Sequence, residues 1–319
     1  MRQLFACAVA LLMTLVSGSA LADSFSEKIL ALLIAHAGPK AGMSPYSFQP
    51  MPECGTDPKK PTCEIKRLCE GTKDFRCAAP RWNNDRKAWV RVETRETALR
   101  RYRPIAESIA RVAIHAVRCR GGEDGSVDFD CKPIGWPGGP ETLALVATTT
   151  AIWESGLRED IQFGYAPNGR GPDNEACLAQ VMPSEIAQFA HWLPREERDR
   201  IYKSGKAAEH EALAQTMLGD SPEALDRCFS VAMRALSRSR RSCARQAGGH
   251  WATKMWSLYG TGKTCSYVAS DPKDDFPMIR TRTFFKLTDG FGKVQIDDDT
   301  RKLLGYVVEE RVPIAVGSR

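Results

Sequence analysis

The stretch from Glu141 to Glu154 has the least ordinary patterning in the chain: Leu143, Leu145, Val146, Ala147, Ala151, Ile152 and Trp153 leave only Thr148 to Thr150 as mild polar relief. A helix apolar on nearly every side has no face to give to water, so the pattern predicts a helix sunk in a core. It ends at Glu154-Ser155-Gly156, where Gly156 suits the left-handed conformation of a C-cap. Elsewhere the three-and-four spacing of amphipathic helices recurs. Phe25, Ile29, Leu32, Leu33 and Ala37 predict a short helix stopped by Gly38-Pro39. Leu99, Tyr102, Ile105, Ile109, Val112, Ala113, Ala116 and Val117 predict another between Thr97 and Cys119, with Pro104 starting or kinking it. Pro183-Ser184 opens a helix carrying Ile186, Phe189, Ala190 and Leu193, which Pro194 closes. Ser221-Pro222-Glu223 joins an N-cap to a first-turn proline and an early acid, predicting a helix through Leu225, Phe229, Ala232, Ala235 and Leu236 toward Cys243. A last helix of the series runs from Trp251 to Tyr259 and stops at Gly260.

Two regions break this texture. From Gly42 to Pro80 the chain turns rich in Pro, Gly and Cys, and lacks the apolar content for a core of its own, so Cys54, Cys63, Cys69 and Cys77 are expected to hold it through disulfides. Their gaps of eight, five and seven residues do not fit a zinc knuckle. Cys119 and Cys131 flank a Gly-rich loop closely enough to close it with a disulfide. Beyond Cys265, Asp271 to Asp275 reads as a polar linker; Thr281 to Leu287 and Val294 to Ile296 flank Asp289-Gly290 and predict a short β-hairpin. Val307-Val308 and Val312 to Val316 could add strand. The expected division is a leader over 1–22, a helix and cysteine-rich extension over 23–92, a helical domain over 93–270 and a β-containing tail over 271–319. The fold class is mainly α, with α+β character at the ends.

Composition narrows the function classes. At 319 residues, 43% of them hydrophobic, the chain is too apolar for disorder. Its one long uncharged apolar run, Leu4 to Ala22, sits at the N-terminus, which excludes a multi-span membrane protein. Arg2 before that run and Ala20-Leu21-Ala22 at its end predict a signal peptide cleaved near Ala22 and a periplasmic or secreted mature chain without an integral span. Cys7 leaves with the leader, so an even number of the 11 cysteines enters an oxidising setting. The net charge of +6 suits approach to a polyanionic wall. Nucleic acid is not an expected partner, because the basic run Arg234, Arg238, Arg240, Arg241, Arg245 has no interleaved aromatics. No metal or other cofactor is expected: His210-Glu211 begins a zinc-protease signature, but Ala214 stands at its second His, and Gly262-Lys263-Thr264 lacks the first Gly of a phosphate loop, where Ser257 stands.

Glu154 is the residue with the clearest chemistry. Desolvation by neighbours such as Trp153 and Ile152 and the negative end of a helix both raise a carboxyl pKa, and a carboxylic acid held neutral can protonate a glycosidic oxygen. Glu154-Ser155-Gly156, then Leu178-Ala179-Gln180-Val181-Met182-Pro183, then Leu258-Tyr259-Gly260-Thr261-Gly262 resemble, in order and helical context, three blocks of the soluble lytic transglycosylase family of lysozyme-like proteins. The resemblance spans Glu141 to Gly262. It implies a lysozyme-like helical domain that cleaves the β-1,4 bond between N-acetylmuramic acid and N-acetylglucosamine in peptidoglycan glycan strands. Glu154 matches the general acid/base, Gln180 a groove residue that binds sugar, and Tyr259 an active-site tyrosine whose hydroxyl can approach the carboxyl. Cys177, Ala179 and Gly260 depart from the family's usual Gly, Met and Asn, and Cys177 reads as half of a disulfide bracing the groove. Asp160, Asp173 and Glu175 could supply the second carboxylate of a lysozyme-type hydrolase. A non-catalytic wall-binding or assembly protein on the same fold is the remaining alternative.

Overall fold

The computed structural model describes residues 25–36, 48–50, 54–60, 62, 81–83, 88–92, 95–119, 132–164, 174–246, 248–271 and 273–304. The expected leader, Cys63, Cys69, Cys77, Cys131, Asp173 and the valine-rich stretch after Val307 lie outside these residues. The described chain is mainly helical. Helix α1 (25–36) buries Ile29, Leu30, Leu32 and Leu33. Strands β1 (Phe48–Pro50), β2 (Arg81–Asn83) and β3 (Ala88–Val92) form a small antiparallel sheet in the order β1-β3-β2. Sequence patterning assigned no strand there. Trp89 anchors the sheet: its ring meets Trp82 edge-on at 6.1 Å and its indole N–H donates to the Asp57 carbonyl at 3.0 Å.

Helix α2 (Arg95–Arg118) follows, and Pro104 lies within it, neither starting nor ending it. Helix α3 (Gly139–Ser155) is the predicted core helix. Thr148, Thr149 and Thr150 are fully buried, and each hydroxyl donates to the carbonyl one turn earlier, Ala144, Leu145 and Val146 respectively, at 2.8–2.9 Å. Back-bonding satisfies three hydroxyls inside the core, so the helix needs no polar face. Short helices α4 (Glu159–Gln162), α5 (Pro183–Phe189), α6 (Arg195–Ser204) and α7 (Ala207–Gln215) precede the long α8 (Pro222–Cys243). The Ser221 hydroxyl accepts from the Ala224 N–H at 3.2 Å, the predicted N-cap. Helix α9 (Trp251–Thr261) runs through Gly260 and stops at Gly262, which takes the left-handed conformation at φ 65°. The expected stop at Gly260 is therefore displaced.

The expected hairpin after Cys265 is corrected outright: residues 276–290 form helix α10 (Phe276–Gly290), followed by α11 (Asp298–Leu303). Thr281, Thr283, Phe284 and Phe285 look strand-like by composition. Local capping decides otherwise: the Asp275 carboxylate accepts from the Met278 N–H at 3.1 Å and Pro277 occupies the first turn. Pro277, Thr281, Phe284 and Leu287 then fall on one buried face.

These elements close on one another around α3. It packs against α2, α8 and α10; α8 also carries α2, α5 and α9, and α10 lies along α9. The Trp256 indole donates to the Thr150 hydroxyl at 3.1 Å, tying α9 to the middle of α3. Among the described residues no helix is long and apolar enough to cross a membrane. Because α10 belongs to the core, Phe284→Ala should cost about 3–5 kcal/mol in urea unfolding. Phe285→Ala, at an exposed ring on the same helix, should cost about 1 kcal/mol or less.

Candidate active site

The chain leaving α3 is fixed where Glu154 emerges. The Ser155 hydroxyl donates to the Ala151 carbonyl at 2.7 Å and accepts from the Leu157 N–H at 3.1 Å. Gly156 takes the left-handed cap at φ 58°, its N–H reaching the Ile152 carbonyl at 2.9 Å. Buried Arg101 on α2 donates to the Leu157 carbonyl at 2.7 Å and to the side-chain oxygen of Gln162, whose amide donates in turn to the Gly219 carbonyl at 3.0 Å. The end of the core helix is thus held from three separate parts of the chain.

The second block is a tight turn. Ala176 and Val181 pair as an isolated antiparallel bridge, with N–H to carbonyl distances of 3.0 and 2.9 Å. Two non-glycine residues inside it, Cys177 at φ 59° and Gln180 at φ 49°, are left-handed. Each such residue costs about 1–2 kcal/mol, which surrounding restraints must offset. A disulfide from Cys177 to Cys228 staples the turn to α8, as the sequence reading expected of Cys177, and Cys243 pairs with Cys265 between α8 and the segment after α9. Cys54 and Cys119 are disulfide-bonded as well. The Gln180 amide donates to the Cys177 carbonyl at 3.0 Å, and the Tyr259 hydroxyl donates to the Ala179 carbonyl at 2.9 Å. Gln180 and Tyr259 therefore meet at one turn, each bonded to its backbone. The Tyr259 proton goes to Ala179, while burial, then the charges of Glu154 and Glu185, push the phenol well above its ordinary pKa.

Glu154 itself contacts a residue that no motif indicated. Arg280 Nη1 on α10 lies 2.8 Å from Glu154 Oε1, with the two side chains only 10% and 17% exposed. Burial pushes the Glu154 carboxyl up from its ordinary value; the Arg280 guanidinium pulls against that shift, and the charge of Glu175 adds to it. Of the three loop carboxylates considered from sequence, Glu175 is thus the one whose influence on Glu154 is seen; the side chains of Asp160 and Asp173 lie outside the described residues. A second buried acid, Glu185 at the start of α5, is paired with Arg238 of α8, which also donates to Gln188. Burial raises the Glu185 carboxyl against the pull of Arg238.

Gly260 has a packing role that its sequence neighbours do not reveal. A Cβ there would come within 2.6 Å of the Phe276 ring and 3.6 Å of Arg280 Nη1, so the absence of a side chain makes room for the α10 residues. The guanidinium of Arg280 in turn stacks over Phe276, 4.8 Å from its centroid. Sequence reading missed Arg280 because it lay just before the supposed hairpin, outside any predicted element. An Asp275 cap with Pro277 in the first turn was the signal that could have placed it on a helix, one turn after Phe276. Among the described residues no group of three or more His, Cys, Asp or Glu stands together to hold a metal ion. No protein-family model matches the chain, nor does any curated protein or solved structure.

Two outcomes follow for stability. Gly260→Ala should destabilise by about 1–3 kcal/mol, because displacing Phe276 outweighs the roughly 1 kcal/mol gain in helix propensity; urea unfolding measures it. Replacing both Cys177 and Cys228 by Ala should cost about 4 kcal/mol, given the sequence separation of 51 that the bridge closes.

Proposed function

We propose that the chain is a peptidoglycan lytic transglycosylase that cleaves the β-1,4 bond between N-acetylmuramic acid and N-acetylglucosamine, with Glu154 as its general acid/base. The observation that carries the reading is the Glu154 carboxyl at the end of a helix buried from Leu143 to Ile152, raised by burial and near enough to Tyr259 to act on its phenol. In the first half of the reaction Glu154 gives its proton to the glycosidic oxygen as the C1–O4 bond breaks, and oxocarbenium character develops at C1 of the muramic acid. In the second half the carboxylate takes the proton of that sugar's 6-hydroxyl while O6 bonds to C1. The product is a 1,6-anhydro end, no water is consumed, and the proton is back on Glu154. Gln180 and Tyr259, joined at the 176–181 turn, are the sugar-binding residues of this reading. Disulfides such as Cys177–Cys228 fit a periplasmic or secreted setting.

Two observations favour other readings. Glu175 is close enough for its charge to act on Glu154, which favours a lysozyme-type hydrolase using a second carboxylate. The Arg280 contact favours the ionised carboxylate, which suits a non-catalytic wall-binding or assembly protein. Digestion of purified sacculi separates all three. Wild-type protein should release muropeptides with anhydro ends by mass spectrometry, and Glu154→Gln should lower release by about 100- to 10,000-fold. Reducing ends would identify a hydrolase, and no release from wild type would reject the enzyme.

A further inference from the structure

A cation in contact with a general acid is unusual enough to need a reason. Arg280 is nine-tenths buried, and among the described residues its Nε has no hydrogen-bond partner and the one carboxylate in contact with its guanidinium is Glu154. A buried arginine with an unpartnered donor is costly for stability, and packing alone would be served as well by an apolar side chain of similar length. The surroundings are nevertheless built to hold it. Phe276 supports the flat face of the guanidinium, Tyr267 lies against Phe276 at 4.9 Å between ring centroids, and Gly260 leaves the space that Phe276 and Arg280 need.

We propose that Arg280 is a positioning residue for Glu154, fixing the orientation of its carboxyl and biasing which of its two protonation states the site favours. The inference rests on the reading of Glu154 as general acid/base. The side chains that act on Glu154 are Arg280 on α10 and Glu175 before the 176–181 turn, and Tyr259 on α9 feels both Glu154 and Glu185 of α5, whose partner is Arg238 on α8. Burial and Glu175 favour the neutral acid; of the groups acting directly on the carboxyl, Arg280 alone favours the carboxylate. A carboxyl serving first as acid and then as base needs both states within reach, and a fully desolvated glutamate would hold its proton too tightly for the first half. Arg280 assists that half by stabilising the carboxylate left when the proton goes to the glycosidic oxygen. Arginine suits the task because its charge is permanent and its planar fork is preorganised.

The test compares wild type, Arg280→Gln and Arg280→Lys by two readouts. The first is independent of catalysis: a ¹³C NMR titration of the glutamate carboxyls, with the Glu154 signal assigned by its loss in Glu154→Gln. Removing the cation should move the Glu154 midpoint upward by about one to three pH units, and Arg280→Lys, which keeps the charge, should move it less. The second is the pH profile of muropeptide release. In Arg280→Gln the alkaline limb of kcat should move upward with the midpoint while kcat at the optimum falls; KM should change little, and Arg280→Lys should restore part of kcat. A midpoint that stays in place in Arg280→Gln overturns the proposal whatever the release assay shows. If Arg280→Gln does not fold, an unmoved midpoint and unchanged kcat in Arg280→Lys overturn it. A moved midpoint in a protein that releases no muropeptides rejects the glycosidase reading while leaving the hold of Arg280 on the carboxyl established.

Discussion

A helix without a polar face can be stable in water only if other elements enclose it, and α3 places that demand on the whole protein. Helices α2, α8 and α10 meet it directly, and α9 reaches it through the Trp256 to Thr150 hydrogen bond. The three threonines fold their hydroxyls back onto the helix rather than requiring partners from outside. Leu143 to Ile152 are buried, and at its C-terminal end α3 meets charged groups of the surrounding shell. Glu154 sits there. The low polarity that stabilises the core is therefore the same medium that raises the carboxyl, so the chemistry of the site follows from the burial of the helix carrying it.

The charges around that end are arranged as two pairs rather than one. Glu154 meets Arg280, and Glu185 meets Arg238, with Tyr259 influenced by both acids and its hydroxyl spent on the Ala179 carbonyl. Each acid is raised by desolvation and restrained by an arginine from a different helix. Paired buried charges are poor sources of stability but are expensive to break, since a lone partner would be left without solvent. Such an arrangement favours a fixed geometry over a maximal stability.

What could be read from the chain follows the range of the interactions involved. Helix α3, its Gly156 cap, the Ser221-Pro222 start and the helix over 25–36 are specified by residues within a turn or two of each other, and periodicity exposed them. Helix α10 is equally local, but its threonines and phenylalanines mimic strand composition, and the cap at Asp275 outweighed that preference. Gly260 looked like a helix stop by type, whereas its role depends on Phe276 arriving from another helix. The Arg280 contact is beyond any local signal: nothing near residue 154 in sequence indicates that an arginine from α10 will face it. Glu154 was visible because both its position and its motif are local; its partner was not, because only the packing of α3 against α10 brings the two together.

Helix α1 also touches the end of α10. Phe25 on α1 meets Phe291 just after α10 edge-on at 5.9 Å, Lys28 lies over the same ring, and Leu32 packs against the backbone at Gly290. Joining segments so distant in sequence carries a loop-closure cost and gives slow, non-local assembly. A chain that emerges from its N-terminus therefore presents α1 and the greasy α3 before α10 is available to cover them.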